Sequence, residues 1–303
     1  MKMYEQVQDY LEYCEFRKVL DSKTIKAYRI DLRQYFDFIK CDQPEKSEIE
    51  KFVTYLHKTY KQKTVKRKLA SIKAFYNYLE EEEIIEESPF RKIKVKFKEN
   101  IVLPRIIPRE EIEQLLNYMY GFRWRKEEKL WLRDIAVVEV FFATGARVYE
   151  ISNLRKESVD LNSGVICIMG KGGKERYLQI GEESVLRVLK KYYELNKQQI
   201  RDSGYFFVNQ IGKRFTEQSI RIMIKSYVKC AGIERKITPH LFRHSFATYL
   251  IEEGVDVSCV QQLLGHSSIK TTQIYIHIAT KKQAEILRDR HPRRQMKIGG
   301  TAA

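Results

Sequence analysis

The sequence has little of what membrane-spanning and disulfide-bonded proteins need. It contains no apolar run of 18 residues, the length that a transmembrane helix requires, and its amino terminus is charged and amphipathic rather than signal-like. Its five cysteines are odd in number and scattered, without a CxxC pair, which predicts reduced thiols. Glycine is absent from residues 3–83. We therefore expect an ordered protein of the cytoplasm that has no membrane partner.

The chain carries a large excess of positive charge. Its 303 residues exceed the usual single domain and predict two domains, and 43% of them are hydrophobic. Lys and Arg total 56 against 40 Asp and Glu, which gives a net charge of +16. Ribosomal, heparin-binding and membrane-surface proteins share such a balance. A polyanion is the expected partner, and nucleic acid is the first candidate.

The amino-terminal part predicts four amphipathic helices, over residues 3–19, 23–40, 47–60 and 63–82. Apolar residues of the second segment recur at spacings of three and four, as one buried face requires. Ser22 is expected to cap the second helix, and Ser47 with Glu50 matches a capping box before the third.

The first half of the fourth helix is basic, and we expect Lys63, Lys66, Arg67 and Lys73 to contact DNA phosphates or else to form a solvated face.

Residues 88–108 change in character and predict an interdomain linker. Prolines at positions 89, 104 and 108 bracket the segment KIKVKFK and argue against one long helix. The expected domains are therefore a helical DNA-binding domain over residues 1–87 and a larger domain over residues 109–303.

In the larger domain a core helix over 127–143 ends at the turn Thr144-Gly145-Ala146, and Arg147 then begins a new helix. Such a position favours an anion, and Glu150, one turn later, could hold an arginine or histidine in place. Two strands, 165–169 and 176–180, predict a β-hairpin whose tip carries Lys171. The tip differs from a nucleotide-binding P-loop because Gly172 stands where Ser or Thr is required.

The stretch from Thr238 to His277 contains the residue types that attack on a phosphate by a tyrosine would use. His240 and Arg243 share one face of a predicted helix, and His266 and Tyr275 follow on later turns and helices. A phenol needs a base or nearby positive charge, and arginine matches phosphate oxygens. A metal site at His240 and His244 is the rival, although Leu241 stands where an HExxH helix needs glutamate.

These motifs together resemble those of the tyrosine site-specific recombinases, the phage-integrase family, and within it the Xer branch. The resemblance rests on TGAR ending at Arg147, GKGGKER around Lys171, HLFRHSFAT starting at His240, and LGHSSIKTTQIY ending at Tyr275. It implies a mainly α fold: a four-helix, SAM-like core-binding domain, then a mixed α+β catalytic domain, mostly helical, with a small antiparallel β-sheet.

The resemblance also implies a role for each site residue. Tyr275 would attack the scissile phosphate to give a 3′-phosphotyrosine, and His240 would assist its deprotonation. The remaining catalytic positions would be Arg147 and Arg243 on the non-bridging oxygens, His266 on the phosphate and Lys171 as general acid, with Glu150 in support. Neither a cofactor, such as ATP, nor a metal ion is expected, because a phosphotyrosine keeps the energy of the phosphodiester.

Partners and alternatives follow from the same resemblance. Double-stranded DNA would be bound by a homotetramer, or by a heterotetramer with a second recombinase, and the helix 278–290 would dock into a neighbour. No arm-binding segment precedes Met3, which favours action on short sites.

A catalytically inactive DNA-binding accessory protein is the alternative function, and a type IB topoisomerase is a third possibility. The DNA site and the choice between chromosome resolution and mobile-element integration stay open.

Overall fold

The computed structural model describes residues 2–41, 44–93, 95, 97, 105–121, 127–170 and 175–265. The chain divides into two compact units, Met1–Asn100 and Ile101–Ala303. This division falls inside the segment 88–108. None of the helices that the structure describes is long and apolar enough to cross a membrane.

The described residues of the first unit form a bundle of four helices. They are α1 (Lys2–Glu12), which continues into a π-helical turn (Tyr13–Arg17), α2 (Ser22–Ile39), α3 (Lys46–Thr59) and α4 (Gln62–Glu81). Its core is rich in aromatic rings, and the hydroxyls of the buried Tyr35 and Tyr76 lie 3.2 Å apart. Phe90, nine residues after the end of α4, packs on both of these rings and belongs to this core.

The two predicted helix caps, Ser22 and Ser47, are wrong by one residue and by two residues. Asp21, not Ser22, caps α2, and its carboxylate accepts a 3.0 Å hydrogen bond from the Thr24 N–H. The third helix begins at Lys46 after Glu45, whose N–H donates to Glu48 Oε2 at 2.9 Å. Asp is as good an N-cap as Ser, and both caps lie just before the serines that the sequence suggested.

The second unit is mostly helical with a small sheet. Its helices are α5 (Arg109–Gly121), α6 (Glu128–Thr144), α7 (Val148–Ser152), α8 (Glu183–Ser203), α9 (Glu217–Cys230), α10 (Pro239–Glu252) and α11 (Val257–Leu264). The strands β1 (Val159–Asp160), β2 (Val165–Met169) and β3 (Glu175–Gln179) form an antiparallel sheet in the order β1-β2-β3. The predicted fold class is confirmed in both units.

The core of the second unit forms around α6, which is apolar on nearly all sides. A helix of this kind must be covered all round, and α8 and α10 both pack against it. The end of α6, the start of α7 and the start of α10 thereby come together. Arg133 and Asp134 are buried charged residues of α6, and they pair with each other at 2.7 Å.

Candidate active site

Arg147 lies at the turn between α6 and α7. The turn needs Gly145, whose φ of 59° is left-handed, and Arg147 follows as the N-cap of α7. The Arg147 N–H donates to Glu150 Oε2 at 2.6 Å, and its Nη1 donates to Glu150 Oε1 at 2.8 Å. One carboxylate therefore fixes both the backbone and the side chain of Arg147, whose side chain is 43% exposed.

Glu150 is buried and holds two arginines. Besides Arg147, it accepts hydrogen bonds from Arg176 Nη1 at 2.9 Å and from Arg176 Nη2 at 2.7 Å. Burial by itself raises the pKa of Glu150, but the hydrogen bonds from Arg176 and Arg147 outweigh burial and lower the pKa. The carboxylate is thus ionised at neutral pH.

Arg176 is the part of this cluster that the sequence reading missed. It lies in β3, and its Nε donates a 3.0 Å hydrogen bond to the Leu263 carbonyl at the end of α11. Strand alternation could have found it. Arg176 pairs with the buried Ile168 and stands two residues before the buried Leu178, so it occupies a core-facing position. A charge at such a position requires a partner.

Arg243 comes from α10, which begins at Pro239 after the cap residue Thr238. It is only 3% exposed, and its Nη1 donates to the Gly145 carbonyl at 2.8 Å. Its Nη2 donates to the Leu264 carbonyl at 2.6 Å. These bonds hold the guanidinium between the turn that precedes Arg147 and the end of α11.

His240 and His244 lie one turn apart on α10. Their ring centroids are 4.6 Å apart, and the ring planes are inclined to each other by 68°. Burial, His240 and Arg243 lower the pKa of His244 to about 4, so this ring is neutral at physiological pH. Among the described residues, no cluster of three or more His, Cys, Asp or Glu side chains could hold a metal ion.

An open cleft of about 910 Å³ brings three predicted site residues together: Arg147, His240 and Arg243. Further cations line it, namely Arg221 and Lys225 from α9 and Lys236 from the following loop. Arg221 pairs with Glu217 at 2.8 Å. The described lining contains no acidic residue, so the cleft favours a polyanion.

Several predicted residues cannot be placed. Lys171, His266 and Tyr275 lie outside the described residues, as does the segment 278–290. Gly265, the residue before His266, is described, and its carbonyl lies 3.5 Å from Arg147 Nη2. The described part of the site therefore contains Arg147, Glu150, His240 and Arg243.

The four basic residues predicted to contact DNA lie on α4 of the first unit. Lys63 and Lys66 are exposed and Lys73 is partly buried. Arg67 is half-exposed, and it donates two hydrogen bonds to Asp31, whose carboxylate is fully buried. The neighbouring Lys68 is buried and donates to the same carboxylate at 2.9 Å. Arg67 is therefore fixed in place by α2.

Comparisons with known proteins cover both units. The phage integrase family model matches residues 105–282, and the model of the phage integrase N-terminal SAM-like domain matches residues 7–83. A tyrosine recombinase of Agathobacter rectalis is 47% identical over 95% of this chain and 96% of its own length. The tyrosine recombinase XerC of Leptospira interrogans is 34% identical over 95% of this chain and 93% of its own length.

The fold also matches a crystal structure of the XerH site-specific recombinase bound to palindromic difH substrate. The TM-score is 0.74 at 22% identity, over 94% of this chain and 84% of that chain. This likeness shows the fold, and the two full-length relatives together with the family model show the family. The chain therefore belongs to the phage integrase family and is a tyrosine recombinase of the Xer branch.

Proposed function

We propose that this enzyme cleaves and rejoins DNA at a specific site through a covalent bond to Tyr275. The observation that carries the proposal is the cleft that Arg147, Arg243 and His240 line together, although about a hundred residues separate the first from the others. Two guanidinium groups in a cleft whose described lining has no acidic side chain suit the binding of a phosphate diester.

The proposed reaction is a transesterification. The Tyr275 oxygen forms a bond to the scissile phosphorus, and the bond from phosphorus to the 5′ oxygen breaks. His240 assists removal of the phenol proton, and Lys171 gives a proton to the departing 5′ oxygen. One phosphate ester replaces another, so the reverse attack by a 5′-hydroxyl rejoins the strand without ATP.

The arginines are proposed to stabilise the negative charge on the non-bridging oxygens of the scissile phosphate. Arg243 is held rigidly by two carbonyls, and Arg147 is held by Glu150, so neither guanidinium has to reorganise as the reaction proceeds. Preorganised donors of this kind make the largest single contribution to the rate enhancement of many enzymes. His266 is proposed as a further hydrogen-bond donor to the phosphate.

The proposed partner is double-stranded DNA. The XerH structure holds a difH substrate, and the basic cleft and the exposed lysines of α4 suit DNA phosphates. Because DNA is the substrate, we place the enzyme in the cytoplasm. We further propose a tetramer of identical chains, or of this chain with a second recombinase, joined by the segment 278–290.

Trapping on nicked DNA tests the reaction. Sequencing the DNA covalently attached to the protein in cells supplies the site, and a duplex nicked near the cleavage point then prevents religation. Wild type should accumulate an adduct, and Tyr275→Phe should bind the same duplex without one. A salt-sensitive complex that never becomes covalent would instead identify an accessory DNA-binding protein. Relaxation of any supercoiled plasmid would identify a topoisomerase.

A truncation after Ile278 tests the assembly. On the isolated site, the shortened chain should bind as a single protomer with wild-type affinity but should lose cooperative filling of paired sites and strand exchange. Unchanged cooperativity and exchange would contradict the proposed docking of this segment.

A further inference from the structure

We propose that Arg176 is the counter-ion that keeps Arg147 available to the phosphate: it compensates the charge of Glu150 and positions Arg147 without contacting DNA itself. This inference rests on the proposed role of Arg147 at the scissile phosphate.

The geometry gives Glu150 two unequal partners. Arg176 forms a bidentate pair with both carboxylate oxygens, and its side chain is only 10% exposed. Arg147 makes one side-chain bond to Glu150, and its side chain is 43% exposed on the cleft. The buried Arg176 therefore binds Glu150 inside the protein, and the more exposed Arg147 lines the cleft.

The charges explain why two arginines are needed. Glu150 alone beside Arg147 would form a neutral pair, and a neutral pair attracts a phosphate weakly. With Arg176 included, one carboxylate is shared by two guanidinium groups, and the cluster keeps one net positive charge. Because Arg176 is buried and Arg147 is exposed, a phosphate in the cleft meets the net positive charge of the cluster at Arg147.

Arg176 also joins three chain segments of the site, namely the β2-β3 hairpin, α7 through Glu150, and the end of α11. Its backbone pairs with Ile168, next to the last described pair of the β2-β3 hairpin (Met169 with Glu175), and the chain between these two strands includes Lys171. Its Nε donates to Leu263, three residues before His266. Gly265 fits closely against it, since a Cβ there would lie 3.1 Å from Arg176 Nη1. Arg176 is thus placed to set the relative positions of these segments.

The test uses Arg176→Met on the nicked site duplex. Methionine keeps an apolar stem of similar length but removes the charge, which leaves Glu150 to neutralise Arg147. We expect adduct formation to slow by about 10-fold or more, as for coupled residues of one ion-pair network, with DNA affinity unchanged. Arg187→Met is the matched control, because it removes one positive charge from an exposed pair on α8, and its rate should equal that of wild type.

Two further measurements separate charge compensation from mere structural support. Adding Glu150→Gln to Arg176→Met removes the uncompensated carboxylate, and we expect the double variant to be faster than Arg176→Met alone. A methylphosphonate at the scissile position lacks the negative charge that Arg147 meets, so on that duplex the Arg176→Met defect should shrink. A double variant as slow as or slower than the single one, together with an equal defect on both duplexes, would overturn the proposal.

A parallel Arg147→Ala variant tells the two proposals apart. If Arg147→Ala forms adduct at the wild-type rate, the proposed role of Arg147 fails and the inference fails with it. If Arg147→Ala is slow and Arg176→Met is as fast as wild type, only the role of Arg176 is wrong. Thermal unfolding identifies any variant that fails to fold. If Arg176→Met fails to fold, Arg176→Lys replaces it. Lysine keeps the charge but not the fork, so this variant should form the adduct faster than Arg147→Ala, and an equal rate would contradict charge compensation.

Discussion

Arg243 Nη1 donates a 2.8 Å hydrogen bond to the carbonyl of Gly145, a residue 98 positions earlier in the chain. This bond joins the helix that carries His240 directly to the turn that leads into Arg147. The two halves of the phosphate site therefore have a fixed separation before any DNA is bound. Preorganisation of this kind lets charged donors act on a transition state without a reorganisation cost.

We predict that Gly145→Ala destabilises the second unit and abolishes adduct formation. Gly145 has a left-handed φ, and a Cβ there would lie 2.5 Å from Phe246 Cδ1 and 2.9 Å from Leu264 Cδ2. The backbone conformation and the overpacking together should cost about 2–5 kcal/mol of unfolding free energy. Thermal or urea unfolding measures the loss.

Gly232→Ala is the matched control for that change. Its φ of 72° is also left-handed, but no heavy atom lies within 4 Å of the Cβ position. Its unfolding free energy should fall by only about 1–2 kcal/mol, the cost of a left-handed backbone at a residue with a Cβ, and the variant should still form the adduct. Equal losses in the two variants would show that packing around Gly145 does not matter.

Replacing Arg147 or Arg243 should slow the reaction, but the two changes should affect stability differently. Both Arg147→Ala and Arg243→Ala should reduce the rate of adduct formation by roughly 10²–10³-fold, as for removal of one oxyanion donor. Arg243 is buried and bonds two carbonyls, so its loss should also lower the unfolding temperature, whereas loss of the half-exposed Arg147 should change it less. The same fall in unfolding temperature for both would contradict the distinction.

Protonation of His244 should make the fold sensitive to acid. Its pKa is lowered to about 4 in the folded chain from an ordinary value near 6.5, so between these values the unfolded chain binds more protons. Stability should therefore fall as the pH falls from 6.5 to 4. Replacing the ring by His244→Gln should flatten this dependence by up to about 1.4 kcal/mol per pH unit, measured by urea unfolding. An unchanged slope would show that the ring does not titrate in this way.

Asp31 should be essential to the stability of the first unit. Its fully buried carboxylate accepts hydrogen bonds from Arg67, Lys68 and Ser71. Asp31→Ala leaves the buried Lys68 without its counter-ion and should cost about 3–5 kcal/mol. Hydrogen exchange at the core amides of α2 and α4 measures the loss for this unit alone.

The exposed aspartate on the same helix provides the comparison. Asp37 lies 3.8 Å from Arg33, and both side chains are more than 70% exposed. Its replacement by alanine should cost less than about 1 kcal/mol, as exposed ion pairs contribute little. A similar loss for both aspartates would mean that the Asp31 cluster does not support the core.

Much of this fold could be predicted from the sequence because its signals are local. Apolar periodicity locates α2 and α4, and the turn at Gly145 locates the start of α7. The sequence does not reveal the partner of Arg176, because the hydrogen bond to Glu150 spans 26 residues and depends on how β3 packs against α7. Asp31 was missed for the same reason: its three donors lie 36 to 40 residues away on another helix.

The most direct test of the central claim is to map the protein–DNA linkage. The adduct formed on a nicked site duplex would be digested with nuclease and protease, and the peptide that carries the nucleotide would be sequenced by mass spectrometry. We predict a single modified peptide with the phosphate on Tyr275, linked to the 3′ end of the cleaved strand. Linkage through another residue, or to the 5′ end, would contradict the account.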